Sequence, residues 1–215
     1  MASIKFSRQE FEKHIKITDE IIEKIQLFGI PVESLTEDEI EIEVLPNRPD
    51  LLSFQGFMRA FKAYIGKETG IKKYPVIKSG YQVFADKSLP KEWPYSIACV
   101  VKGVLLNNER IKGIIQIQEK LGVTLLRNRK KGGIGVYPLE RINFPVTFKG
   151  LNPDKIKFKP LEYPNELTGR QILQKHPTGK EYANIIENWS VFPVFIDDKD
   201  IIMSMPPIIN SHTVG

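Results

Sequence analysis

Pro206 and Pro207 stand side by side in the run Ser204-Met205-Pro206-Pro207-Ile208-Ile209-Asn210-Ser211, and no other stretch restricts the backbone so tightly. Two consecutive prolines remove two amide donors and fix φ near about −65°, which excludes a helix interior and a simply paired strand. The run is therefore expected to be extended, rigid and only partly laddered. Ile208 and Ile209 demand burial, while Asn210 and Ser211 bring hydrogen-bonding groups to the same place. The combination predicts a stiff pocket wall with polar groups at its lip.

A chain of 215 residues, 41% hydrophobic and 27% charged, can bury a sizeable core and has ordinary globular composition. One cysteine leaves no internal disulfide framework. Cys99 lies in the apolar run Ile97-Ala98-Cys99-Val100-Val101 and is expected to be a small buried core residue. No stretch reaches the roughly 20 apolar residues of a membrane span, and the N-terminal residues lack a secretory apolar core. A cytoplasmic, reducing location is the expectation. The net charge of +5 is unevenly spread: residues 1–50 hold 12 acids and 6 bases, and residues 51–215 hold 14 acids and 25 bases. That asymmetry points to two modules, the second better suited to meet a polyanion, with plain surface solvation as the alternative reading.

Ser7-Arg8-Gln9-Glu10 reads as a capping box opening a short helix to about Lys16. Thr18 opens a second helix with Ile21, Ile22, Ile25 and Phe28 on one stripe, stopped by Gly29 and Pro31. Glu39 to Val44 alternates strictly and predicts a half-buried strand. Leu45-Pro46-Asn47-Arg48-Pro49-Asp50 is a rigid turn feeding a helix from about Leu51 to Ile65, and Gly66 to Tyr74 reads as an exit linker. Beyond it, 81–85, 95–106, 133–137, 146–149 and 194–196 are expected strands. Helices are expected at 108–121, capped by Asn108, at 168–175 and at 180–187. The fold class is α+β. A small helix-rich N-terminal domain, residues 1–74, ends in the Asn-Arg-Pro-Asp turn and its helix, and a mixed α/β domain occupies residues 75–215.

Generic catalytic patterns are absent. His14, His176 and His212 have no zinc-like spacing with a cysteine or a second histidine, so no metal site is expected. There is no nucleophile elbow, phosphate-binding Gly-Lys-Ser/Thr loop or dinucleotide fingerprint. Asp197, Asp198 and Asp200 read as a solvated hairpin turn. Gly132-Gly133-Ile134-Gly135 reads as a tight turn, with a phosphate cradle as the lesser alternative. Arg48 is expected to hold its own turn by pairing with Asp50. Arg127-Asn128-Arg129-Lys130-Lys131 places four cations in five residues, either to neutralise phosphates or as a mobile, solvated loop.

The stretch Leu45-Pro46-Asn47-Arg48-Pro49-Asp50-Leu51-Leu52-Ser53-Phe54-Gln55-Gly56-Phe57-Met58-Arg59 resembles the segment that closes the first domain of the phenylalanyl-tRNA synthetase beta subunit. Gln116 to Leu121, the arginine-lysine loop, Ile134 to Tyr137, Lys157 to Leu161, Tyr182 to Ile186 and the Ser204 to Ser211 run resemble the same family in the same order. A continuous first domain is similar to the archaeal and eukaryotic type. Pro138-Leu139-Glu140 departs from the Asp-Leu-Asp-like segment usual there. The resemblance implies that residues 75–215 are most of an editing-type domain, incomplete at its C-terminus, whose remaining Asp and Thr pocket residues lie on later strands.

It further implies hydrolysis of Tyr mischarged onto tRNA-Phe within an enzyme that ligates Phe to tRNA. The alternative is a non-catalytic tRNA-binding or subunit-docking module. Implied partners are tRNA-Phe and the alpha subunit, in a heterotetramer of two alpha and two beta subunits. ATP and Mg are implied for the whole enzyme, whose aminoacylation site is not in this chain, and no cofactor for this part of it. The editing pocket is expected at Met203, Ser204, Met205, Pro206, Pro207, Asn210 and Ser211, with Ser211 or Asn210 orienting water, ester or ribose. Arg127, Arg129, Lys130 and Lys131 are the expected tRNA contacts. Ser211 as a turn hydroxyl bonded to backbone is the plainer alternative.

Overall fold

Ala2, Ile4 and Phe6 alternate with Ser3, Lys5 and Ser7 and are buried, which makes strand β1 (Ala2–Ser7). Residues 2–215 are described by the structure, a computed structural model. Ser7 caps helix α1 (Arg8–Glu12), its hydroxyl accepting from Glu10 N at 3.3 Å. The helix stops at Glu12, short of the expected Lys16, and His14 N closes a tighter three-residue turn onto Phe11 O at 2.9 Å. Thr18 caps α2 (Asp19–Leu27) as expected. Strands β2 (Val32–Leu35) and β3 (Glu39–Val44) follow, and the antiparallel sheet has the order β1-β3-β2. The first unit is thus less purely helical than its sequence suggests. The side chains of β2 are mostly exposed, so β2 is held by its ladder to β3 and leaves no burial pattern to read.

Arg48 grips Asp50 through Nε to Oδ1 at 3.0 Å and Nη2 to Oδ2 at 2.9 Å, as expected for that turn. Ser53 then caps α3 (Phe54–Tyr64). Phe57 and Phe61 on its inner face are fully buried, with ring centroids 5.5 Å apart. They complete a core with Phe11, Ile25, Ile40, Ile42 and Leu51. Helix α4 (Asn108–Val123) is capped one residue earlier than expected, by Asn107 accepting from Arg110 N at 2.9 Å. Its Leu121 packs on the same core. Gln116 of α4 accepts from Lys5 N and donates to Lys5 O, both at 3.1 Å, satisfying the open edge of β1 as another strand would.

Residues 1–75 and 105–131 accordingly form one compact unit, and residues 76–104 and 132–215 the other. The chain crosses between them near the expected boundary at 74, and again at 104/105 and 131/132. Helix α4, read from sequence as part of the second module, groups with the first.

The second unit holds β4 (Val83–Ala85), β5 (Val146–Leu151), a two-stranded ribbon of β6 (Lys157–Phe158) and β7 (Leu167–Thr168), and helices α5 (Gly169–Lys175) and α6 (Pro177–Ile186). Strands β8 (Phe192–Ile196), β9 (Ile202–Met205) and β10 (Ile209–Asn210) complete a five-stranded sheet of order β10-β9-β8-β5-β4, in which only β4 runs parallel to its neighbour β5. Thr168 forms a full capping box with Gln171 at the start of α5. A Cβ at Gly179 would lie 1.9 Å from Ile172 O, so the approach of α6 to α5 requires glycine. Two expected strands are absent. Residues 95–106 and 133–137 make no ladder, and Ile97 is 100% exposed. Alternating apolar residues supply faces but no hydrogen-bonding neighbour, and a strand needs both. Cys99 in that segment is exposed, contrary to the core position expected.

Candidate functional site

The double proline interrupts the ladder, as expected, and the residues on either side of it pair. It is the turn of a hairpin, closed by Ile208 N to Met205 O at 2.9 Å, with Met205 opposite Ile209 and Ser204 opposite Asn210. Prolines suit the turn because the ladder asks for no amide there. Met205 and Ile208 enter the core beneath α5 and α6, and Met203 enters a smaller cluster with Val146 and Val214. Met203, Ser204, Met205, Pro207 and Ser211 are buried, whereas Pro206 and Asn210 are half-buried and form the accessible rim. Ser211 N donates to Met203 O at 2.8 Å, and Asn210 O accepts from Leu161 N at 2.9 Å, which ties the hairpin to the segment entering from β6.

Tyr137 is the residue at this rim that sequence reasoning did not single out. Its hydroxyl donates to Asn210 Oδ1 at 3.0 Å across 73 residues of chain. Burial pushes the phenol above its ordinary 10.0, partly offset by the neighbouring Ser204 hydroxyl. By strict geometry Ser204 Oγ and Ser211 Oγ are buried without a hydrogen-bond partner, as is Nδ1 of His176, whose Nε2 lies 3.1 Å from Leu161 O. Unpaired buried hydroxyls each forgo roughly 1–3 kcal/mol. The glycines before Tyr137 run past the turn: a Cβ at Gly133 would rest 3.6 Å from Pro207.

The acidic turn is not solvated at its first residue. Asp197 is 4% exposed and accepts from Asn143 Nδ2 at 2.6 Å, Asn143 N at 3.3 Å, Lys199 N at 3.0 Å and Ile201 N at 2.9 Å. Burial raises its pKa, but these bonds outweigh that and hold the carboxyl below 3.8. It is a structural clasp between the start of β9 and Asn143.

In the first unit, Arg127, Asn128 and Arg129 are successive left-handed residues, with φ of 51°, 54° and 63°. Leu126 N, Asn128 N and Arg129 N turn back to Leu121, Val123 and Gly122 carbonyls, so the basic segment is a bonded turn at the C-terminus of α4 rather than an open loop. Arg127, Lys130 and Lys131 are exposed and Arg129 is half-buried. Cations are favoured at that end of a helix.

The beta subunit of phenylalanine–tRNA ligase from Archaeoglobus fulgidus is 37% identical over 194 residues, which are 90% of this chain and 35% of that protein. The corresponding subunit from Methanocaldococcus jannaschii is 36% identical over 219 residues, 99% of this chain and 39% of that one. No protein-family model matches the chain. The crystal structure of an N-terminal fragment of the phenylalanyl-tRNA synthetase beta subunit from Pyrococcus horikoshii superposes with a TM-score of 0.92 at 31% identity, covering 100% of this chain and 64% of that fragment. The chain belongs to the phenylalanine–tRNA ligase beta-subunit family. It spans little more than a third of the length of the curated relatives just named. Membership accounts for the order of the quoted motifs from Leu45 to Ser211, and the shared fold extends through both units.

Proposed function

We propose that the chain acts within a phenylalanine–tRNA ligase as part of its beta subunit, and that its second unit contributes to hydrolysis of Tyr wrongly esterified to tRNA-Phe. A largely apolar synthetic site rejects an added hydroxyl by only about a hundredfold, so a second site that favours the phenol is needed. The observation that carries this reading is the Tyr137–Asn210 bond at the rim of the hairpin, with the Ser211 hydroxyl unpaired behind it. Tyr137 donating into Oδ1 sets the amide orientation of Asn210 and leaves its Nδ2 protons for an ester carbonyl, a ribose hydroxyl or water. A buried hydroxyl without a partner gains a bond from tyrosine's phenol and none from phenylalanine. Water adds to the ester carbonyl, the C–O bond to the terminal ribose breaks, and the ribose oxygen leaves with a proton as a free hydroxyl.

Arg127, Arg129, Lys130 and Lys131 serve as phosphate contacts for the tRNA in this proposal, and the alpha subunit supplies aminoacylation with ATP and Mg, in a heterotetramer of two alpha and two beta subunits. Among the described residues no group of three or more His, Cys, Asp or Glu is placed to hold a metal. No helix among the described residues is long and apolar enough to cross a membrane. The test is release of Tyr from mischarged tRNA-Phe by the ligase containing this beta subunit. Asn210→Ala is expected to slow that release at least about tenfold while leaving Phe charging unchanged, as loss of one positioned hydrogen bond implies. Unaltered release would overturn the assignment. The second reading, an RNA-binding module without ester chemistry, is favoured by the bonded basic turn; it predicts salt-sensitive RNA binding with no release of Tyr.

A further inference from the structure

The first unit carries a cavity of about 350 Å³ that the proposal above does not use, with Asp50, Gln55, Arg59, Lys72, Tyr74 and Ile117 in its wall. Its floor is the start of α3, and its rim is the linker after that helix. Arg59 Nη1 donates to Tyr74 Oη at 3.2 Å, which brings guanidinium and phenol ring to one side of the cavity. Among the described residues neither Arg59 nor Lys72 has a carboxylate within ion-pair distance. Asp50 in the same wall is already occupied by the two-point grip of Arg48, and Lys62, not Lys72, takes Glu68. Arg59 and Lys72 act on Asp50 and Glu68 only through space, because each carboxylate is paired directly with another cation, and both cations keep their ion-pairing positions for a ligand. Tyr74 is 63% exposed and stacks on no ring among the described residues, so its face is open as a platform.

Two cations without a direct ion pair answer a phosphate, and an open aromatic face beside them answers a planar base. An inorganic anion alone would leave the ring without a role, and an apolar ligand would leave the cations without one. We propose that this cavity takes a phosphorylated nucleoside, its phosphate between Arg59 and Lys72 and its base against Tyr74, with the Gln55 amide available to a base edge. Asp50 keeps the phosphate toward the Arg59 and Lys72 side. The ligand is either a free mononucleotide or one nucleotide of an RNA strand. The inference is independent of ester hydrolysis in the second unit.

The whole chain is titrated with AMP, with 5′-phosphorylated tetraadenylate and with inorganic phosphate, following the backbone amide resonances of Gln55 and Gly56 and the heat of binding. Saturable shifts at those amides are expected with a nucleotide ligand. Arg59→Gln should weaken binding about tenfold, as loss of a charge-assisted bond implies. Tyr74→Ala should weaken it about fivefold or more, as loss of one stacked base implies. Lys72 is exposed, so Lys72→Ala leaves the fold intact and should lower the salt dependence of binding by about one phosphate contact. Lys180→Ala, at an exposed lysine of the second unit, should leave these shifts unchanged. Equal affinity for AMP and the tetranucleotide identifies a free nucleotide as the ligand, and binding of the tetranucleotide alone identifies an RNA strand. The proposal is overturned if neither moves these amides at millimolar concentration. It is also overturned if phosphate binds as tightly as AMP, or if Lys72→Ala and Tyr74→Ala bind like the parent.

Discussion

Asp197 sits where burial and hydrogen bonding oppose each other, and the bonds win. Its folded-state pKa lies below 3.8 because the Asn143 side chain and three backbone amides donate to it. Its contribution to stability is complete above the ordinary carboxylate pKa and is lost as pH falls through the depressed folded value. Asp197→Ala is expected to cost about 2–3 kcal/mol near neutral pH, since hydrogen bonds to a buried charge are lost. Urea denaturation should show that difference shrinking as the pH falls below about 4. At Arg127 the backbone is the issue: a φ of 51° on a side chain with a Cβ is strained by roughly 1–2 kcal/mol. Arg127→Gly should raise stability by about 1 kcal/mol, after the entropy of glycine is allowed for, while weakening RNA binding. A fall in both would show that the turn is held by its side chain.

Among the elements, α4 shows how a helix joins a unit remote in sequence. Gln116 meets both polar groups of Lys5 across 111 residues, on the strand edge that would otherwise stand open. Gln116→Ala should cost about 1–2 kcal/mol, and amide hydrogen exchange at Lys5 should quicken. Unchanged exchange would assign the attachment to Leu121 alone. In the hairpin of β9 and β10, Pro206 and Pro207 occupy the turn, where missing amide donors leave no gap in the ladder. Helix caps at Ser7, Thr18, Ser53 and Thr168 lie within one turn of the residues they serve. Such local bonds are legible in sequence, although Asn107 displaced its neighbour Asn108 at the fourth helix.

At the scale of the molecule the two units have separate apolar cores, one built around Phe11, Phe57 and Phe61 and the other around Ile172, Phe192 and Met205. Phe57→Ala is expected to lower the stability of the first unit by about 3–5 kcal/mol, as large-to-small changes in a filled core do. Two tryptophans, Trp93 and Trp189, lie in the second unit with ring centroids 6.3 Å apart, so their fluorescence reports that unit alone. Denaturation followed by tryptophan emission should be unchanged in Phe57→Ala while the loss of helical circular dichroism moves to lower urea. A common shift in both signals would mean that the units unfold as one.

The α+β class, the capped helices, the Arg48–Asp50 turn, the apolar face of α3 and the order of motifs that marks the family are all written locally in the chain. Each depends on residues a few positions apart, or on periodicity, which the chain carries wherever it folds. The packing of the folded chain is what leaves residues 95–106 unpaired, exposes Cys99 and buries Asp197. It alone set Tyr137 against Asn210 and Gln116 against Lys5. Those outcomes depend on which distant backbone or side chain arrives alongside, and no local pattern in a sequence encodes the arrival of a hydrogen-bond partner 73 or 111 residues away.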